Sequence, residues 1–241
     1  WPPEINGVSL TLSRLVQGLC ARNHQVQLIR PRQTRVDQAL RHTGFEEVLM
    51  RGMPIPRYPE LKLGLPGKRA LIQAWTLRRP DLVHIATEGP LGWSALQAAR
   101  RLKLPVTSDF RTNFHAYCEH YGVGWLRKPM VSYLRRFHNL TQLTMVPTRA
   151  LRAQLMEMGF ERVQVVARGV DTKLFNPQRR SEALRREWGA GPDSLVMLVV
   201  GRLAAEKNLD VALQAHAAMQ AHHADVKLVF VGDGPLRESL R

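Results

Sequence analysis

The chain has 241 residues, of which 44% are hydrophobic and 23% charged, a balance that can bury a core and excludes a disordered polymer. No apolar run approaches the roughly 18–20 residues that a membrane-crossing helix needs. The net charge of +15 is held unevenly: residues 1–168 carry 25 Lys and Arg against 11 Asp and Glu, residues 169–241 carry 10 against 9. The first part should therefore face an anionic partner, whether nucleic acid, an anionic membrane or a phosphorylated substrate, or else is merely Arg-rich by codon bias.

In chain order, "GVSLTLSRLVQGLCARN" sets Val8, Leu12, Leu15, Val16, Leu19 and Cys20 on one face of a helix. "QVQLIRP" reads as a strand, and Arg32 to about Lys68 as a less regular, Pro- and Gly-rich stretch. "DLVHIA", "PVTSDF", "LTMVPT" and "VQVVARGVD" read as short buried strands, with His84 a core histidine in the first. "LGWSALQAARRLK" is a helix, and so is 121–140, with Leu126, Met130, Leu134 and Phe137 on one face. Thr148 should cap a third helix that Gly159 ends. The pattern then restarts: a strand at Leu195–Val200, a helix from Asn208 with Leu209, Ala212, Leu213 and Ala217 inward, and the strand "VKLVFV".

Short, continuous apolar strands alternating with helices predict an α/β class with doubly wound parallel sheets. The boundary falls after Arg168, giving a first domain of 1–168 and the start of a second at 169–241. A glycine turn feeding the first helix with no strand before it, and a closing helix of barely two turns, read as an excerpt of a longer protein. The cysteines, Cys20 and Cys118, form no CxxC pair and read as free buried thiols in a reducing compartment.

Ligands of open parallel sheets bind beyond the carboxyl ends of the strands, so the strand-to-helix turns carry the candidates. "PPEINGV" offers Asn6 and Gly7 before a helix N-terminus, where backbone can approach a ligand. "ATEGPLG" offers Glu88. "SDFRTNFHAY" packs Asp109, Arg111, Asn113 and His115 beyond a strand end, and "RGVDTKLF" brings Asp171. "VGRLAAEKNLD" places Arg202 and Lys207 where a strand hands over to a helix, and "VGDGP" follows the last strand with Gly232 and Asp233. Each has a plain reading as a turn, a solvated cation or an Arg202–Glu206 pair, and spacing alone does not choose between these.

Taken together and in order, these motifs, with "GVDTKLFNP" and "VPT", resemble glycosyltransferase family 4, the retaining sugar transferases of GT-B fold. The resemblance covers essentially the whole chain. It implies two Rossmann-like domains, the first binding acceptor and the second the nucleotide-sugar donor. Arg202 and Lys207, with Gly232 and Asp233, fall where the family holds the donor, and Gly7 where the first loop approaches its phosphate. Arg111 and His115 fall at the catalytic loop, while Asn6, Glu88, Asp109, Asn113 and Asp171 fall at the acceptor site or cleft. No metal or other cofactor is implied, since the cations do a metal's electrostatic work. The implied reaction moves mannose or a similar sugar to a lipid or glycan acceptor, in a cytoplasmic enzyme that can sit at the inner membrane face.

Three departures stand out. Arg111 occupies a position where relatives often carry His, and a guanidinium cannot serve as a base. Arg168 replaces a common Asn. The family's Glu-x7-Glu motif is not in the sequence. Two alternatives remain: a GT-B epimerase or phosphorylase, and a basic nucleic-acid-binding protein. The second lacks a recognisable module, and aromatic residues make up only 7% of the chain.

Overall fold

The computed structural model describes residues 7–55, 58–111 and 127–240, with only the backbone of 58–61 and 127. These residues form two compact units, 7–111 with 127–168, and 169–240. Among the described residues no helix is long and apolar enough to cross a membrane.

The first unit is built on parallel strands. β6 (Val83–Ile85), β7 (Val106–Asp109), β8 (Leu143–Val146) and β9 (Val163–Val165) lie side by side in chain order, with Val83 opposite Val106 and Thr107 opposite Leu143. Each is followed or preceded by a helix, as parallel crossovers require. α3 (Pro90–Arg101) begins with Pro at its first turn, which is already set to a helical φ and has no amide to leave unpaired. α4 (Arg127–Asn139) leads into β8, and α5 (Arg149–Glu157) follows it. Thr148 caps α5 by accepting from the Leu151 amide at 3.2 Å, and Gly159 takes φ +83° just past its end. The apolar stripe read from the sequence is real at Leu134 and Phe137, both fully buried. Leu126 lies outside the described residues.

The core has two clusters. Leu71, Trp75, Val83, Ile85, Leu96 and Val106 with their neighbours form one; Phe110, Leu134, Val146, Leu155 and Phe160 form the other. Each large side chain of this kind contributes about 1.5–3 kcal/mol by leaving water. α1 (Gly7–Cys20) packs less deeply. Its Leu15 is exposed, against the sequence expectation, and Cys20 is a free, half-buried thiol rather than a buried one.

The stretch Arg32 to Lys68 is not irregular. It holds β2 (Arg41–His42), β3 (Phe45–Met50), β4 (Gly52–Ile55) and β5 (Tyr58–Gly64), and α2 (Lys68–Leu77) follows. β3 runs parallel to β1 (Val26–Pro31), with Val26 opposite Phe45, and β4 pairs antiparallel with β5. The sequence hides β3 because Glu46 and Glu47 interrupt its apolar run. Glu47 is nevertheless buried, and its partner explains why. Arg30 of β1, itself buried, donates Nη2 to Glu47 at 2.8 Å and Nη1 to Asp37 at 2.6 Å. Asp37 also accepts from the Gln33 amide at 2.8 Å, and Glu47 from the Leu40 amide at 3.1 Å. One guanidinium thereby fixes both ends of the loop 32–40.

In the second unit, β10 (Leu195–Val200) pairs in parallel with β11 (Val226–Val231), joined by α7 (Leu209–Gln220). α6 (Glu182–Glu187) precedes them, capped by Ser181. The inward face of α7 differs from the expected one. Leu209 is buried and Ala212, His216 and Met219 are half-buried, while Leu213 and Ala217 are exposed. The apolar content of this helix runs nearly all round, so periodicity could not select the face that meets two strands.

The hydrogen bond from Arg30 holds the Asp37 carboxyl at about 2, against the opposing cost of burial. A depressed carboxyl adds stability that is whole above its unfolded value near 3.9 and is lost as pH falls through the folded one. Denaturant titrations at stepped pH should therefore show a loss of stability between about pH 4 and pH 2 that is shallower in Asp37→Asn. An identical slope in the variant would contradict this account.

Candidate active site

β7 ends in a charged cluster. Asp109 is 1% exposed and accepts from Arg111 Nε, while His84 Nε2 lies 3.3 Å from the same carboxyl oxygen, Oδ2. His84 Nδ1 is 2.9 Å from Thr107 Oγ1. His84 is thus half-buried beside a carboxylate rather than a plain core residue. Burial opposes ionisation of Asp109, but its contacts with His84 and Arg111 outweigh that, and its carboxyl sits below the ordinary range. Phe110, fully buried against Phe160, anchors the backbone between the two charges. Asp109 Oδ1 and Arg111 Nη1 are buried without a hydrogen-bond partner among the described residues. The result is a cation fixed in place and unable to act as a base.

Glu88 is also buried, in the turn between β6 and α3. Its Oε1 lies 3.2 Å from His138 Nε2, and its carbonyl accepts from Tyr133 Oη. The His138 ring continues through Nδ1 to Ser108 Oγ at 2.9 Å, and Ser108 Oγ lies 3.1 Å from Thr141 Oγ1 and 3.2 Å from Thr144 Oγ1. Thr141 spends its proton on the His138 carbonyl at 2.7 Å. The chain of partners suits Ser108 donating to Nδ1 and Nε2–H donating to Glu88. This network ties the Glu88 turn to α4, β7 and β8. The sequence reading chose Glu88 but missed His138, whose signal was a lone polar residue next to Phe137 on a buried helical face.

Gly7 opens α1, and a Cβ there would meet Arg168 Nη1 at 3.2 Å. The Arg that replaces a common Asn therefore places its guanidinium beside this helix start. Asn6, Asn113 and His115 lie outside the described residues.

In the second unit the loops after β10 and β11 are zipped together. Gly201 donates its amide to Val231 at 3.0 Å, Leu203 to Asp233 at 2.9 Å, and Leu236 to Leu203 at 3.0 Å. A Cβ on Gly232 would collide with the Gly201 carbonyl, and one on Gly234 with that of Leu203. These glycines are required by the close approach of two backbones. Leu203 and Ala204 are buried beneath the loop, which leaves Arg202 and Lys207 exposed. Lys207 ends a short 3-10 turn (Ala205–Lys207), and Asn208 takes the left-handed conformation at the start of α7. The Asp233 carboxylate serves its own turn: Oδ1 accepts from the Gly234 amide at 2.8 Å, and Oδ2 lies 3.5 Å from Arg237. Asp171 is spent in the same way, accepting from the Lys173 and Leu174 amides at 3.0 Å each. Among the described residues no three His, Cys, Asp or Glu side chains gather as a metal site would need.

Gly232→Ala should force the two loops apart. Thermal unfolding of the variant should fall by an amount equivalent to about 1–3 kcal/mol, the usual cost of overpacking. An unchanged melting temperature would show that the loops do not depend on this approach.

The glycosyltransferase family 4 model matches residues 5–174, and the model for glycosyl transferases group 1 matches residues 180–241. A GDP-mannose-dependent alpha-mannosyltransferase of Mycobacterium tuberculosis is 34% identical over 241 residues, covering 99% of this chain and 62% of its own length. A protein of the same name from Corynebacterium glutamicum is 30% identical over 236 residues, covering 97% of this chain and 55% of its own. The chain thus spans between half and two thirds of these relatives. The solved structure of sucrose-phosphate synthase from Thermosynechococcus elongatus aligns at a TM-score of 0.65 and 15% identity, over 96% of this chain and 58% of that one. That likeness gives the architecture as α/β of GT-B type. On the match across residues 5–174 and these identities, the chain belongs to glycosyltransferase family 4.

Proposed function

We propose that the protein is a metal-independent hexosyltransferase that moves a sugar, mannose from a GDP donor, to a lipid or glycan acceptor with retention of configuration. The observation that carries this reading is the zipped loop pair of the second unit. It presents Arg202 and Lys207, both exposed, just beyond the carboxyl end of β10 on a backbone fixed by the paired loops. The named function of the 34% and 30% identical relatives supports the donor.

In this reading the second unit binds donor. As the glycosidic bond to the nucleoside diphosphate breaks, negative charge grows on the leaving phosphate. Two cations already in place there stabilise that charge without reorganising at the moment of reaction. The first unit binds acceptor. Arg111, clamped by Asp109, holds a positive charge for a sugar or acceptor oxygen rather than removing a proton. Glu88, held by His138 and Tyr133, fixes the neighbouring turn. The surplus of basic residues in 1–168 favours an anionic acceptor or an enzyme working at an anionic inner membrane face.

The full-length protein should turn over GDP-mannose in the presence of a chelator, and Lys207→Ala should lower kcat/KM by about 100-fold or more, the usual loss of one charge-stabilising group. An unchanged rate in that variant would remove the central contact of the mechanism. Turnover of donor to a free isomer without acceptor would point to an epimerase instead.

A further inference from the structure

The first unit carries a second strand-end cleft that the donor and catalytic residues do not use. It lies where β1 and β3 end, encloses about 710 Å³, and is lined by Arg32, Gln33, Thr34, Arg35, Arg51 and Lys62 among others. That volume is in the range of small-molecule sites. Among the described residues that line it, four are cations and none is acidic. Arg32 follows β1 directly and Arg51 follows β3, so both sit on the side of a parallel pair where ligands bind.

Surface cations are ordinarily solvated or paired with nearby carboxylates, and the described carboxylates of the loop behind this cleft are committed elsewhere. Asp37 and Glu47 are both committed to the buried Arg30. The same contacts pin the loop that bears Arg32 and Arg35, through the Gln33 amide on Asp37 and the Leu40 amide on Glu47. Arg32 is steadied further by donating Nη1 to the Asp37 carbonyl at 3.3 Å. Arg35 and Arg51 are exposed and make no ion pair among the described residues. Preorganised cations held around a concave surface, with the local acids neutralised from beneath, are complementary to a phosphate ester, whose oxygens can take several charge-assisted hydrogen bonds at once.

We propose that this cleft binds the phosphate of a phosphorylated ligand. Resting on the glycosyltransferase reading, that ligand is the acceptor. The phosphate can come from a lipid headgroup or from a soluble ester, and the two are separable by experiment. The full-length protein, the Arg35→Ser/Arg51→Ser variant and a charge-matched control, Arg100→Ser/Arg101→Ser on α3, would be compared in two ways. One is calorimetric titration with glycerol 1-phosphate. The other is cosedimentation with vesicles of phosphatidylglycerol and phosphatidylcholine in equal parts. The Arg35/Arg51 variant should bind one or both probes at least about tenfold more weakly, with the control near wild type. Loss confined to glycerol phosphate assigns a soluble ester, and loss confined to vesicles assigns a lipid headgroup. No binding of either probe, or equal weakening in the control, overturns the proposal. GDP binding, measured in parallel, should be the same in all three proteins. Its absence throughout would count against the donor reading and leave the cleft to be judged on its own two probes.

Discussion

A single buried guanidinium governs how charge is displayed on the first unit. Arg30 could not sit inside β1 without partners, because an ion removed from water must be compensated by contacts of good geometry. Asp37 and Glu47 supply them, with hydrogen bonds of 2.6–3.2 Å. The arrangement brings β3 beside β1 despite its two glutamates, folds the loop 32–40 back on the sheet, and withdraws two negative charges from the surface. What remains outside is mostly positive. The excess of basic residues in 1–168 is thus organised by a buried ion cluster rather than scattered.

The same division recurs at the other strand ends. Asp109 is held by His84 and Arg111, Asp171 and Asp233 cap their own backbone turns, and Glu88 meets His138. In each place the carboxylate helps to set a loop, buried at Asp109 and Glu88 and exposed at Asp171 and Asp233. Lys207 in one unit and Arg35 and Arg51 in the other are exposed cations. Under the proposed function that allocation suits a ligand that carries phosphate, since a carboxylate beside the site would repel it and pair with the cation meant for it.

Much of the architecture was legible in the sequence because the strands of parallel sheets read as short apolar runs. β6, β7, β8, β9, β10 and β11 all announced themselves so, and Thr148 and Gly159 marked the ends of α5 by capping chemistry. The failures have physical reasons. β3 contains a buried charge whose partner is 17 residues away, and no local window can reveal that pairing. α7 is apolar nearly all round, so its inward face depends on which strands it meets. At the site, Gly232, Arg202 and Lys207 were visible from turn chemistry, whereas His138 was not, because its meaning lies in contacts with Glu88 and Ser108 from two other elements. The cleft of Arg32, Arg35 and Arg51 was invisible for the same reason as β3.

The line of side chains running from Glu88 through His138 and Ser108 to Thr141 and Thr144 is sealed from water, with His138, Ser108 and Thr144 wholly unexposed. A sealed chain of donors and acceptors has no spare solvent to fill a gap. Replacing one member by an aliphatic strands its neighbour, and the cheap evolutionary path runs through simultaneous replacement. Across descendants of this sequence these five positions are bound to drift as a block, an inherited unit scattered over 57 residues of chain.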